Sequence, residues 1–240
     1  MRRVGPAALA ALLVVGGGDA TAQSAASSGG SSAATALRPG HLVVAIGGAL
    51  IGADAVGGVR AETRASAPGT TSPPGSGLFA TDSRLGAAPA ADATVTMAIT
   101  PNWAVEVRGA MGRPTLTTTI TDDIEATGTF TATTDIAEYA VDASALYHPP
   151  WAAVGRTVRG YLLAGGGYLR QLYDRDALVE TGSTMHVGAG ARWWITGSRA
   201  PGMAVGLTGD LRWVFRRDGI AFEDGTRSLP AVAVRAFVGF

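Results

Sequence analysis

From about residue 41 onward, apolar side chains recur at every second position. The last eleven residues, Pro230 to Phe240, show this most plainly. Val232, Val234, Ala236, Val238 and Phe240 share one parity; Ala231, Ala233, Arg235, Phe237 and Gly239 share the other. Successive side chains of a strand point to opposite faces, so a period of two predicts a β-strand with one wholly apolar and one mixed face.

The same period predicts seven strands before it. His41–Gly52 places Leu42, Val44, Ile46 and Leu50 on one face. Its three glycines disfavour a helix, and Asp54 ends the run well short of a helical membrane span. The second strand is Pro89–Ile99, closed by the turn dipeptide Pro101-Asn102, and the third runs from Trp103 to Met111. The fourth is Asp135–Tyr147. The fifth, Thr157–Arg170, is too glycine-rich for its facing to be read. Met185–Ile195, Val205–Arg216 and the terminal stretch complete the set. Ala53–Ala87, with Pro68, Pro73 and Pro74, reads as a long loop, and threonine-rich Arg113–Thr134 as a long hairpin tip. Gln171–Ser183 reads as a charged loop and Asp218–Leu229 as the last one.

Eight strands that can each supply the ~9–11 residues of a tilted transmembrane strand, with long connections after the odd ones, predict a barrel in lipid. The even count puts both ends of the barrel on one side. Glu106, Arg108, Glu138, Asp142, Arg192, Asp210, Arg212 and Arg235 fall on the faces opposite the large apolar residues. Four carboxylates and four guanidiniums are thus expected to form a paired interior network, because an unpaired charge in a narrow lumen costs several kcal/mol. Eight strands leave an interior just wide enough for side chains to fill. On the outward faces, Trp103, Tyr147, Trp193 and Phe240 fall at the turn ends, and Tyr139, Trp213 and Phe215 at the long-loop ends. These are the places of two interfacial aromatic girdles.

Composition narrows the reading. The formal net charge is zero, which removes the electrostatic case for a nucleic-acid partner. Without cysteine there is no disulfide framework, thiolate metal site or cysteine nucleophile. Arg2 and Arg3, an apolar run from Val4 to Val15, and Ala20-Thr21-Ala22 predict a cleavable export signal over residues 1–22. Residues 23–40, rich in Ser, Ala and Gly, are expected to be a flexible periplasmic linker before a barrel domain over 41–240.

The export signal, the TPNW turn, and the segments YLLAGGGY, MHVGAGARWW, GDLRW and RAFVGF together resemble the small eight-stranded outer-membrane barrels. Those are the OmpA-like and OmpW-like families and the broad outer membrane protein β-barrel domain group. The resemblance spans residues 41–240 and is specific for architecture, weak for activity. It implies a Gram-negative cell outer membrane, contact with lipid and lipopolysaccharide, and a terminal Phe240 read by the barrel-insertion machinery during assembly. A monomer is expected, and the OmpA-like periplasmic domain is absent from the pattern.

Candidate chemistry is sparse. Ser144 and His186 both face inward by parity, but sequence alone does not place them within reach as nucleophile and base require, so His186 reads as interior filling. Glu138 and Asp142, four apart on one face, suit salt bridging better than acid–base work. Asp122, Asp123 and Glu125 could hold a divalent ion, although a solvated acidic loop is the simpler reading. Gly165–Gly167 opens no phosphate-binding helix. No catalytic, cofactor or metal site is assigned.

The expected fold is therefore all-β: an eight-stranded antiparallel up-and-down transmembrane β-barrel behind a signal peptide and linker. Three functions follow in order. The first is a non-enzymatic barrel with a charge-plugged interior, acting structurally or through its external loops. The second is an OmpW-like conduit for small apolar molecules. The third is a soluble exported lipocalin-like carrier, which would need apolar residues inside and charges outside.

Overall fold

The computed structural model describes residues 38–62, 77–121, 128–155, 157–173, 178–195, 203–221 and 225–240. The expected signal segment, most of the linker, and Asp122, Asp123 and Glu125 lie outside the described residues. The described strands are β1 (Leu42–Ile51), β2 (Asp54–Gly57), β3 (Arg60–Glu62), β4 (Gly77–Leu85) and β5 (Ala88–Ala98). They continue with β6 (Trp103–Gly112), β7 (Thr115–Thr121), β8 (Phe130–Asp135), β9 (Ala137–Tyr147) and β10 (Ala153–Val154). Last come β11 (Val158–Tyr173), β12 (Leu178–Trp194), β13 (Ala204–Asp218) and β14 (Thr226–Gly239).

Eight of them close a barrel. Each is antiparallel to its neighbour in the order β1, β5, β6, β9, β11, β12, β13, β14, and β14 returns to β1 with Val44 opposite Val238 and Leu50 opposite Val232. Closure leaves no unpaired edge in this ring, as lipid demands of any strand that crosses it.

Facing follows the period of two. Val107, Leu211 and Val234 are 56%, 57% and 59% exposed, whereas Glu106 and Arg212 are 3% and 1% exposed. Bulky aliphatics therefore cover the outside and ionic groups fill the inside, the reverse of a soluble carrier. On β11, Tyr161, Leu163, Leu169 and Gln171 are buried while Leu162 and Tyr168 are exposed, which settles the facing that glycine obscures.

Apolar layers flank the ionic interior. At the turn end Leu146, Leu163, Tyr161, Ala98 and Ala104 pack with Trp194, which also meets Phe237 edge-on at 5.7 Å between ring centroids. At the loop end Val56, Leu85, Leu116, Ile136 and Ile220 cluster with Tyr173.

Four expected connections are corrected. Within 53–87, read as one loop, the described residues form β2, β3 and β4; within 113–134, β7 and β8 pair beyond the hairpin tip. Together they make a second sheet in the order β2, β4, β7, β8, with β3 on β4. The reason is physical: β-branched threonines such as Thr117, Thr118 and Thr119 favour pleated backbone, and outside lipid a strand needs no apolar face. The expected charged loop 171–183 is likewise strand at 171–173 and 178–183, and the last loop shortens because β14 already begins at Thr226.

Replacing Leu211, near the middle of β13 and facing lipid, with Arg is expected to destabilise the barrel by about 2–4 kcal/mol in a denaturant titration in lipid vesicles. Thr131→Arg, on the exposed face of β8, is the control and is expected to shift stability by less than about 0.5 kcal/mol.

Candidate functional site: the ionic interior

Inward side chains on neighbouring strands build one alternating chain of acid and base. Arg108 donates through Nε to Asp92 at 2.5 Å and through Nη1 to Asp142 at 3.1 Å. Asp92 also accepts from Arg235, whose Nη1 reaches Asp210 at 2.5 Å. Arg212 spans Asp210 at 2.6 Å and Glu106 at 2.9 Å. Each of these guanidiniums thus lies between two carboxylates, and each carboxylate but the terminal two lies between two guanidiniums. Glu106 accepts from the Thr96 hydroxyl, which in turn accepts from Arg192. Charge-assisted bonds of this kind are the strong ones, and in a dry interior they are what make burial of the charges tolerable.

A separate cluster closes the loop end. Arg216 grips Glu138 with both terminal nitrogens, at 3.0 and 2.5 Å, and Gln171 donates to the same carboxylate at 2.9 Å. Gln171 also accepts from the backbone N–H of Ile220, tying β11 to the residues after β13. Asp54 lies 3.6 Å from Arg216 and 3.2 Å from Arg227. Burial raises the pKa of Asp54, and the two arginines only partly pull it back.

Inward glycines make these crossings possible. Gly47 is paired with Asp92 on one side and Arg235 on the other, and the ion pair forms across it. Gly167 stands between Asp142 and Thr184, whose hydroxyl donates to Asp142 at 2.7 Å. Gly190 stands between Tyr161 and Asp210, joined by a 3.3 Å bond from the phenol. Any Cβ at Gly190 would meet the Tyr161 Oη at 2.5 Å. A missing side chain on the middle strand thus lets two strands that are not neighbours touch.

Gly165 does the same for Ser144 and His186, its partners on either side. Ser144 Oγ lies 2.8 Å from His186 Nε2. The structure therefore brings together two residues that sequence could not. Both are buried inside the wall, Ser144 at 5% and His186 at 3% exposure, among Arg108, Asp142 and Thr184.

Of the eight charged residues singled out by parity, seven share the main chain of contacts, while Glu138 belongs to the loop-end cluster. Parity could also have found Asp92 and Arg216, which lie on the inward faces of β5 and β13. Asp54 was hidden by its place just past the first apolar run, and Arg159, Tyr161 and Gln171 by the glycine-rich strand. Outside, Trp103 and Tyr147 are register partners with rings 4.9 Å apart. Trp103, Trp193 and Phe240 are half or more exposed at the turn end; Tyr139, Trp213 and Phe215 are exposed toward the loop end.

The turn end is held by a polar clamp. Arg159 donates to the carbonyl of Pro101 at 2.8 Å, to Asn102 Oδ1 at 3.1 Å and to the carbonyl of His148 at 3.5 Å, tying two connections to β11. His148 is fully buried beneath it, 5.6 Å from the Tyr161 ring. Burial, then the charges of Arg192 and Arg159, hold its imidazole down at about 3. A base whose folded pKa is depressed binds fewer protons folded than unfolded, so stability falls as pH drops below the ordinary imidazole value. Between about pH 6.5 and 4.5 this group alone is expected to cost about 2–3 kcal/mol. Denaturant titrations at both pH values should show that loss in the wild type and not in His148→Asn. Gly47→Val should cost about 3–5 kcal/mol at neutral pH, because it forces apart the Arg235–Asp92 pair.

No protein-family model matches the chain, and no curated protein matches it. The solved structures similar to it include three small barrels. Neisserial surface protein A is 16% identical, with 83% of this chain and 95% of that chain covered and a TM-score of 0.46. The outer membrane protein OprG from Pseudomonas aeruginosa is 11% identical, with 86% and 98% covered and a TM-score of 0.49. Ail, the attachment invasion locus protein of Yersinia pestis, in complex with the heparin analogue sucrose octasulfate, is 13% identical, with 85% and 100% covered and a TM-score of 0.41. Strand pairing and facing carry the fold independently of these likenesses. Closure by eight antiparallel strands, an apolar exterior and a charged interior make the chain a small β-barrel of the outer-membrane type.

Proposed function

We propose that the protein is a non-enzymatic outer-membrane barrel whose interior is plugged by charge and whose role is played at the surface, through the extended sheet at its loop end. One observation carries the reading: the interior holds a continuous acid–base chain from Asp142 to Glu106, and the groups in it are at most 6% exposed. A side-chain chain that spans the lumen leaves no apolar path of the kind a conduit for greasy solutes needs. Ser144 and His186 lie within that packed interior, so a substrate has no route to the hydroxyl. The loop-end strands β4, β7 and β8 instead present an ordered platform whose outermost strand, β8, is almost wholly exposed, Phe130 included at 62%. Contact with lipopolysaccharide through the outward faces and aromatic girdles, delivery by the insertion machinery through the Phe240 strand, and a monomeric state belong to the same reading.

A pair of proteins tests it: the wild type, and a version with residues 63–76 and 122–127 each replaced by a short Gly-Ser turn. Both are expected to give no step conductance in planar bilayers and no flux of small apolar solutes into liposomes. Attachment of producing cells to surfaces is expected to fall only with the replaced version. Steady apolar-solute flux through the wild type would favour the conduit and overturn the plugged barrel.

A further inference from the structure

The connection between β9 and β11 does not hang free below the barrel. A single 3-10 turn, Pro150–Ala152, follows Pro149. The chain then pairs as β10 with the start of β11, Ala153 opposite Arg159 and Val154 opposite Val158. Gly160, the next residue on β11 after Arg159, has the outward parity of Leu162 and Ala164. A Cβ built there would meet the Ala152 Cβ at 3.0 Å and the Ala152 carbonyl oxygen at 3.3 Å. The turn is therefore folded against the outside of the wall, on the face that lipid covers.

What this segment turns outward is apolar. Trp151 is 80% exposed, more than any other large apolar residue among those described, and Val154 is 69% exposed. Between Tyr147 and Gly155 the one ionisable side chain, His148, is fully buried. Residues directly opposite in a strand pair share a face, so Val154 points the same way as Val158. Val158 stands opposite Trp193, and Trp193 opposite Leu207, both of them exposed on the lipid side. Val154, Val158, Trp193 and Leu207 thus form one outward row that passes through the turn-end girdle. The segment itself starts at Tyr147, whose ring lies 4.9 Å from that of Trp103 in the same girdle.

We infer that the β9–β11 connection is a membrane-surface wedge, with Trp151 and Val154 seated in the phospholipid interface of the inner leaflet and not in the periplasm. An indole suits that depth, because its ring is apolar while its N–H can still reach a headgroup oxygen. Pro149 and Pro150 fix φ at two consecutive residues before the tryptophan, which holds the wedge stiff. A periplasmic protein is the rival occupant. The outward row favours phospholipid: Trp193 and Leu207 already stand in it, and a protein covering Val154 would have to displace that lipid. The wedge fixes the depth of the β9–β11 corner, as the girdle rings do for the strands.

The chain has no cysteine, so a single introduced one carries a nitroxide label without ambiguity. Trp151→Cys, Val154→Cys, Leu207→Cys and Ala132→Cys are each made in the full chain, labelled, and refolded in phosphatidylcholine–phosphatidylglycerol vesicles. Relaxation by oxygen, which concentrates among acyl chains, is compared with relaxation by a water-soluble nickel chelate. Leu207 on the lipid-facing wall and exposed Ala132 on β8 set the lipid and water limits. Labels at positions 151 and 154 are expected to respond several-fold more to oxygen than to the chelate, at about 5–10 Å below the phosphates. A chelate response equal to that at position 132, at either site, puts the segment in water and overturns the inference. Shielding from both reagents means cover by protein and overturns it too. Trp151→Phe gives a reading that needs no label. The emission it removes is expected to be quenched by phospholipid brominated near the glycerol end of its chains, and indifference to that lipid would sink the proposal.

Discussion

Enclosing charge is the constraint on which the rest of this barrel depends. Lipid outside forces the bulky aliphatics outward, and a lumen only as wide as eight strands allow then has to be filled from within. Aliphatic filling would be simpler to stabilise, since ion pairs taken out of water recover little more than their desolvation cost. What the ionic filling adds is direction. Arg235 can satisfy Asp92 and Asp210 together only when β14, β5 and β13 stand in one register. A slip of one residue in any of these strands would turn that strand's inward charges to lipid. The network therefore acts against wrong pairings more than in favour of the right one.

The glycines belong to this same logic. Neighbouring strands lie about 4.8 Å apart, so side chains two strands away are about twice that distance. Arginine can span such a gap, but only if the strand between contributes nothing to it. Gly47, Gly165, Gly167 and Gly190 sit at those crossings. A glycine inside a strand weakens it, and here that loss is offset by an ion pair or hydrogen bond passing over the vacant position. The short run Gly165–Gly167 on β11 is therefore part of the interior's polar wiring and not merely a bend.

Much of the architecture was legible in sequence, because a half-buried strand writes its facing into the parity of its residues. Val107 against Glu106, or Leu211 against Arg212, declares which side meets lipid without any knowledge of neighbours. Lateral partners are another matter. That Arg212 reaches Glu106, more than a hundred residues away, depends on the stagger between strands, which no single strand records. Ser144 and His186 illustrate the same limit: each showed its face, and neither showed that Gly165 separates them. The outer strands β4, β7 and β8 escaped for the opposite reason. Beyond the bilayer the apolar parity disappears while the backbone pairing continues, so threonine-rich segments read as loop.

The two ends of the lumen are sealed by different means, and that difference locates where each can change. At the loop end, Val56, Leu85, Leu116, Ile136 and Ile220 form an apolar lid drawn from the outer sheet and the residues after β13. The Glu138–Arg216 pair beside it is buried, and low exposure strengthens such a pair and raises the cost of losing either partner. Platform and interior are coupled through that lid: a substitution on its buried side, such as at Leu116, is felt by the charges below. The exposed side of β8 carries no such burden. At the turn end an apolar layer of Leu146, Leu163, Tyr161 and Trp194 is joined by a polar clamp, in which Arg159 ties two connections to β11.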